Sequence, residues 1–193
     1  MPVTWLRFVG YELRIKGFVM DKVEFKKLLF KVAFCAMSCD GHIDPREIEE
    51  MSAMDKHTSF FDGVDLSREL SGLTNELSVK GAKVIEELFS TLRDNKLNPI
   101  QELLVLEVAL RIINSDQRHD ENEIKFIRLL RAKLDLHNET IRDRFGDVTI
   151  LDTNEYSTNI VIEDSVSKFL KNVKLPDFSD LEEIGLGEYL DKK

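Results

Sequence analysis

The longest helical pattern in the chain begins after Asp21. Phe25, Leu28, Leu29, Val32 and Ala36 recur at helical spacing, with Lys27, Lys31 and Cys35 on the other side. Phe30, Ala33, Phe34 and Met37 widen this stripe until only a narrow polar strip remains, the pattern of a helix buried inside a bundle. The turn dipeptide Asp40-Gly41 ends it. Asp44 as N-cap, Pro45 at the first helical position and Glu47 as the closing residue of a capping box start a second helix. Helical patterns follow over 65–77 and 79–93. Asn98-Pro99 starts another over Ile100–Ser115, Asp120 with Glu123 opens the next as far as Leu134, and Asn138 caps a last one to Phe145. The predicted fold class is therefore all-α, a bundle of about seven helices.

The flanks read differently. Residues 1–20 place β-branched and aromatic residues around Gly10 and Gly17, which suits one or two minor strands. Residues 147–193 hold short apolar runs (Ile160-Val161-Ile162), a brief helical pattern around Ser167–Val173, and Pro176. The predicted organisation is an N-terminal extension over 1–20, a helical domain over 21–146 and a C-terminal extension over 147–193. The end of the chain is acidic, with spaced Phe178, Leu181, Ile184, Leu186 and Leu190. Phe178, Leu181, Ile184 and Leu190 are candidate partner-binding residues, since apolar groups in an acidic setting form short helices that lie in grooves. They serve equally as a cover for an apolar edge of the chain's own bundle.

The helical domain contains an internal repeat. Laid over itself without gaps at an offset of 76 positions, with residue 40 over residue 116, it pairs Leu28 with Leu104, Val32 with Val108 and Ala33 with Ala109. In the same register Asp40 meets Asp116, Asp44 meets Asp120, Glu47 meets Glu123 and Ile48 meets Ile124. Each half reads as a buried helix, a tight turn carrying D-x-x-x-D-x-x-E, and a second helix. Two such hairpins are expected to pack about a pseudo-two-fold axis, each covering the apolar face that the other cannot bury alone.

A buried helix ending in SCDGHIDPREIEE, repeated once as SDQRHDENEIKF, resembles the tellurite-resistance TerB family over about residues 24–146. The second copy lacks the Gly. The same domain type heads some membrane-anchored DnaJ-like co-chaperones, but the His-Pro-Asp signature of a J-domain is absent from this sequence. The resemblance implies a seven-helix bundle built from two helix-turn-helix hairpins, with acidic turn residues that bind metal. It also implies service as a partner-binding unit in stress-response and phage-defence gene clusters.

The acidic turns carry the candidate chemistry. Divalent cations take several converging carboxylate oxygens together with turn carbonyls, and Asp40, Asp44, Glu47, Asp116, Asp120 and Glu123 are the candidate metal-ligating residues. Their spacing is not that of an EF-hand loop, so the identity of a divalent metal ion is not legible from it. Helix capping alone accounts for Asp44 with Glu47 and Asp120 with Glu123. Asp40 and Asp116 sit at helix C-termini, where a negative charge opposes the macrodipole by roughly 0.3–1 kcal/mol. A cation, a turn hydrogen bond, or a neighbouring arginine (Arg46, Arg118) would offset that. Cys35, Cys39, His42 and His57 do not follow the spacing of a structural zinc site.

Net charge −9 disfavours nucleic acid as the main partner. No stretch approaches the roughly 18 apolar residues of a membrane span, and Met1–Met20, broken by Arg7, Glu12, Arg14 and Lys16, lacks a signal-peptide core. Cytoplasmic location and no membrane insertion are therefore expected. No P-loop, G-x-S-x-G, H-E-x-x-H or dinucleotide-binding glycine pattern occurs, and His119 beside Asp120 reads as an exposed turn histidine. The expectation is a non-catalytic TerB-like adaptor that acts through protein partners, products of neighbouring genes, in a stress-response or antiviral complex. The alternative is a divalent-cation sensor built on the paired acidic turns.

Overall fold

A computed structural model describes residues 20–116, 118–151 and 159–176, and the description that follows is of these residues. They form α1 (Lys22–Ser38), α2 (Pro45–His57), α3 (Leu66–Lys80), α4 (Lys83–Asp94), α5 (Pro99–Ile113), α6 (Glu121–Ala132), α7 (Asn138–Phe145) and α8 (Asn159–Asn172), with a 3-10 turn at Thr149–Leu151. The architecture is all-α, as expected. The predicted N-terminal strands fall on residues outside the described part of the chain, as do Phe178, Leu181, Ile184 and Leu190.

Most helices start where the sequence places a cap. Asp21 accepts the amides of Val23 and Glu24, Asp44 and Asp120 each close a capping box with Glu47 and Glu123, and Asn98 closes one with Gln101. Asn138 departs from expectation. It occupies the first helical position of α7 while His137 takes the cap, and its side-chain oxygen accepts from Arg131 of α6 at 3.0 Å. The predicted break between 77 and 79 falls later, at Gly81, whose φ of +58° suits glycine.

The repeat organises the centre. α1 packs most extensively against α5, and both are buried on nearly every face: Phe30, Val32, Ala33 and Phe34 on one, Val105, Leu106, Val108 and Ala109 on the other, are wholly inaccessible. α2 lies on α5 of the other half, whereas α6 lies mainly on its own α5 and on α8, with a smaller contact to α1. The two halves join chiefly through α1 and α5, and their second helices pack differently. α3 and α4 cover the remaining face of α1.

The C-terminal part holds more helix than its sequence pattern suggested. In place of a brief helical stretch around Ser167–Val173, α8 runs for 14 residues from Asn159 and packs on α6 and α4. Ile162, Val166 and Phe169 point into the common core, while Ile160 is 83% exposed, so the Ile160-Val161-Ile162 run straddles a helix edge. Beyond α8 the chain crosses the first acidic turn. A Cβ at Gly41 would lie 3.0 Å from the Lys174 Cβ, and one at Gly81 would lie 4.0 Å from Leu175.

Gly41 therefore meets two demands, a φ of +88° and a close neighbour, whereas Gly63, with φ of +79°, has open space around it. Gly63→Ala should destabilise by about 1–3 kcal/mol through backbone strain alone, and Gly41→Ala by more. Denaturant unfolding of both variants checks the order, and equal losses would mean that the Lys174 crossing contributes nothing.

Candidate functional site

The two D-x-x-x-D-x-x-E turns meet at one end of the bundle. Each closes by the same set of hydrogen bonds. In the first, Asp40 Oδ1 accepts the His42 amide at 2.8 Å, Asp44 Oδ1 the Arg46 amide at 2.9 Å, and Glu47 Oε2 the Asp44 amide at 2.8 Å. In the second, Asp116 Oδ1 accepts the Arg118 amide at 2.8 Å, Asp120 Oδ1 the Asn122 amide at 2.7 Å, and Glu123 Oε2 the Asp120 amide at 2.7 Å. All six motif acids thus hold backbone amides that a helix reversal leaves without partners. The unfavourable position of Asp40 and Asp116 near helix C-termini is offset first by these turn bonds.

One side chain links the turns. Arg46 pairs with both oxygens of Asp44, at 2.9 and 2.8 Å, and donates from Nη1 to the Asp116 carbonyl at 2.9 Å; its Nη2 lies 3.7 Å from Asp116 Oδ2. Position 122, the repeat equivalent of Arg46, is Asn, so the clip exists on one side only. Arg118 contributes its backbone amide to the turn.

The electrostatics follow from burial. Glu47 and Glu123 are only 5% and 6% exposed. Burial, together with each other's charge and that of Asp40, pushes the Glu47 carboxyl up to about 9. Burial and the charges of Asp40, Asp116 and Asp120 push Glu123 up to about 7. Asp40 is raised as well, chiefly by burial and then by Asp120 across the gap. Asp44 goes the other way, to about 2, because the Arg46 guanidinium and amide both bind its charged form. Cys39 is buried between the turns and its thiol is pushed well above its usual range by burial, with Glu123 and Asp40 adding to the effect.

The donor chemistry, carboxylates beside turn carbonyls, suits a hard divalent cation. The geometry does not assemble one site from it. Among the described residues no three His, Cys, Asp or Glu side chains converge as a ligand set, Asp44 is held by Arg46, and Arg46 also takes the Asp116 carbonyl. The zinc candidates separate: Cys35 and Cys39 are buried free thiols, whereas His42 and His57 are exposed. Burial drives the Cys35 thiol up to about 12, away from metal-binding thiolate. His119 is exposed and pairs through Nε2 with Asn114 Oδ1 at 2.9 Å.

The cross-turn reach of Arg46 and the passage of Lys174 over Gly41 had no local signal in the sequence, because both join residues far apart in the chain. No protein-family model, curated protein or solved structure matches this chain. Among the described residues, no helix is long and apolar enough to cross a membrane.

The buried acids set a pH dependence. A carboxyl whose folded pKa lies above its unfolded value stabilises the fold fully below the unfolded pKa, near 4.5, and loses that contribution as pH rises through the folded one. Stability should therefore fall from about pH 5 through both groups at once, the Glu123 contribution being lost by about pH 7 and that of Glu47 by about pH 9. Glu47→Gln/Glu123→Gln keeps an acceptor oxygen for each capping box and removes both charges. Thermal midpoints at pH 5.5 and 8.5 should fall in the wild type and change far less in the double variant; parallel curves would refute the assignment.

Proposed function

We propose that the protein is a non-catalytic TerB-like binding module, an adaptor that works through protein partners in a stress-response or antiviral complex. The observation that supports this reading is the use to which the motif is put. All six acids of the repeated turn accept backbone amides, so the most chemically distinctive part of the sequence serves as scaffold. A rigid, acidic, two-fold platform suits recognition by complementary surfaces, where electrostatics favours the choice of partner and the rate of encounter. Co-expression of the full chain with the products of neighbouring genes should give a stable complex that co-elutes in size-exclusion chromatography. Failure with every neighbour would remove the reading.

A second reading, a divalent-cation sensor at the paired turns, is supported by the crowding of Asp40, Glu47 and Glu123, whose like charges a cation would relieve. Binding would require Arg46 to yield its hold on Asp44 and Asp116. Thermal unfolding in Ca²⁺, Mg²⁺, Mn²⁺ or Zn²⁺ decides it. A native-state ligand at ~100 times its dissociation constant adds about 2.7 kcal/mol, and the shift should vanish in Asp40→Asn/Asp116→Asn. No shift with any of the four ions would leave the acids as turn and cap residues alone.

A further inference from the structure

α6 and α8 run antiparallel. Lys133, just past the end of α6, pairs with Glu163 near the start of α8 at 2.6 Å, and Glu121 and Asn172 line the other end of the seam. A groove of about 550 Å³ opens there, within the size range of small-molecule pockets. Its floor is recessed. Leu129 and Phe169 line it but are only 1% and 4% exposed, so they offer contact to a small group that enters and little area to a helix lying across. The walls are rich in donors. Lys125 and Arg128 stand on α6 and Lys168 on α8, with Ser165 nearby and Glu121 as the lining acid. The result is a local excess of positive charge on a chain of net charge −9.

We propose that this groove binds a small phosphate monoester bearing a compact apolar group, with the phosphate between Lys125 and Lys168 and the apolar group against Leu129 and Phe169. Charge selects the phosphate. Lys125 pairs with Glu121 and Lys168 with Asp164, each at 2.6 Å, and all four side chains are exposed. Exposed pairs of this kind hold little free energy, so both ammonium groups are free to turn to a ligand. A ligand that takes the place of both carboxylates needs two negative charges in one small group. A phosphate monoester carries nearly two at neutral pH, its second pKa being about 6, and lysine binds phosphate as a point charge. A carboxylate carries one. Part of the donor set is already in place. Arg128 is held in the wall by donation from Nε to the Ile150 carbonyl at 2.8 Å, and Asn172 by donation to the Lys168 carbonyl at 2.7 Å. Preorganisation of this kind lowers the cost of binding.

Other concavities lack this balance. Between α1 and α3, Lys27 and Lys31 are outnumbered by Glu24, Glu69 and Glu76. Beside α7, Arg111 and Arg144 are tied to Glu50 and Glu107, acids that are themselves mostly buried and so yield less readily. Phosphate binding between α6 and α8 uses none of the six motif acids, so it is independent of the TerB-like reading and of any cation at the turns.

Amide chemical shifts of the isotope-labelled full chain test this at pH 7.5 and constant ionic strength, with phenyl phosphate and adenosine 5′-monophosphate as probes. The signals of Ile124, Lys125, Ser165 and Phe169 should move saturably with at least one of them. A response to one probe alone assigns the apolar group as aryl or nucleoside. Inorganic phosphate should bind at least roughly tenfold more weakly, because it leaves the floor uncovered. Lys125→Gln/Lys168→Gln should weaken binding of the responding probe by roughly tenfold or more, the worth of one hydrogen bond to a charged group. Its thermal midpoint reports that the bundle is intact. No response to either probe, a response centred on another face, one retained in the variant, or equal affinity for inorganic phosphate would overturn the proposal.

Discussion

A buried helix that turns back into its own bundle frees backbone groups at its end that need new partners. α1 and α5 are nearly surrounded by apolar neighbours, and each ends in a half-exposed turn. In both, the reversal is closed by three carboxylates that accept amides of the turn and of the next helix start. Short acidic side chains suit this task because they accept strongly and reach their own backbone two or three residues on. The directions in which α2 and α6 leave the turns follow from the geometry of those bonds.

This solution gathers negative charge. Using the same turn twice, around a common centre, brings Glu47, Glu123, Asp40 and Asp116 within electrostatic range of one another, with Cys39 buried among them. The molecule compensates on one side with Arg46, which binds Asp44 and crosses to Asp116. At Glu47 in the same turn and Glu123 in the other, burial and like charge raise the carboxyl pKa values, so protons take the place of a cation over part of the neutral range. Stability and charge state are thereby joined at one of the places where the two halves of the repeat meet. A partner, an ion or a change of pH that acts there acts on the whole central pair.

The C-terminal region adds a third layer to the same end. α8 closes the side of α6, and the chain that leaves it crosses Gly41 on its way past Gly81. The first turn accommodates this only because it carries glycine where the second copy has Gln117. The departure from perfect repetition has a steric reason in one half, the Lys174 crossing, and an electrostatic one in the other, the missing counterpart of Arg46.

The sequence by itself determined the helices of the central repeat, their caps and their partnership. A period of 3.6 with apolar residues on nearly every face leaves a helix no stable place except the middle of a bundle, and capping boxes are local, set by residues three apart. The same locality made Asp40 and Asp116 legible as groups in need of compensation. It did not say which compensation, because the donors are turn amides whose direction depends on the fold and an arginine 70 positions away. α8 was visible only in part, since Ile160-Val161-Ile162 reads as an apolar run until α4 and α6 decide which of its faces is covered. The pKa values of Glu47 and Glu123 belong wholly to the tertiary structure. They arise from burial and from like charges brought together through space, and neither quantity is written in the spacing of residues along the chain.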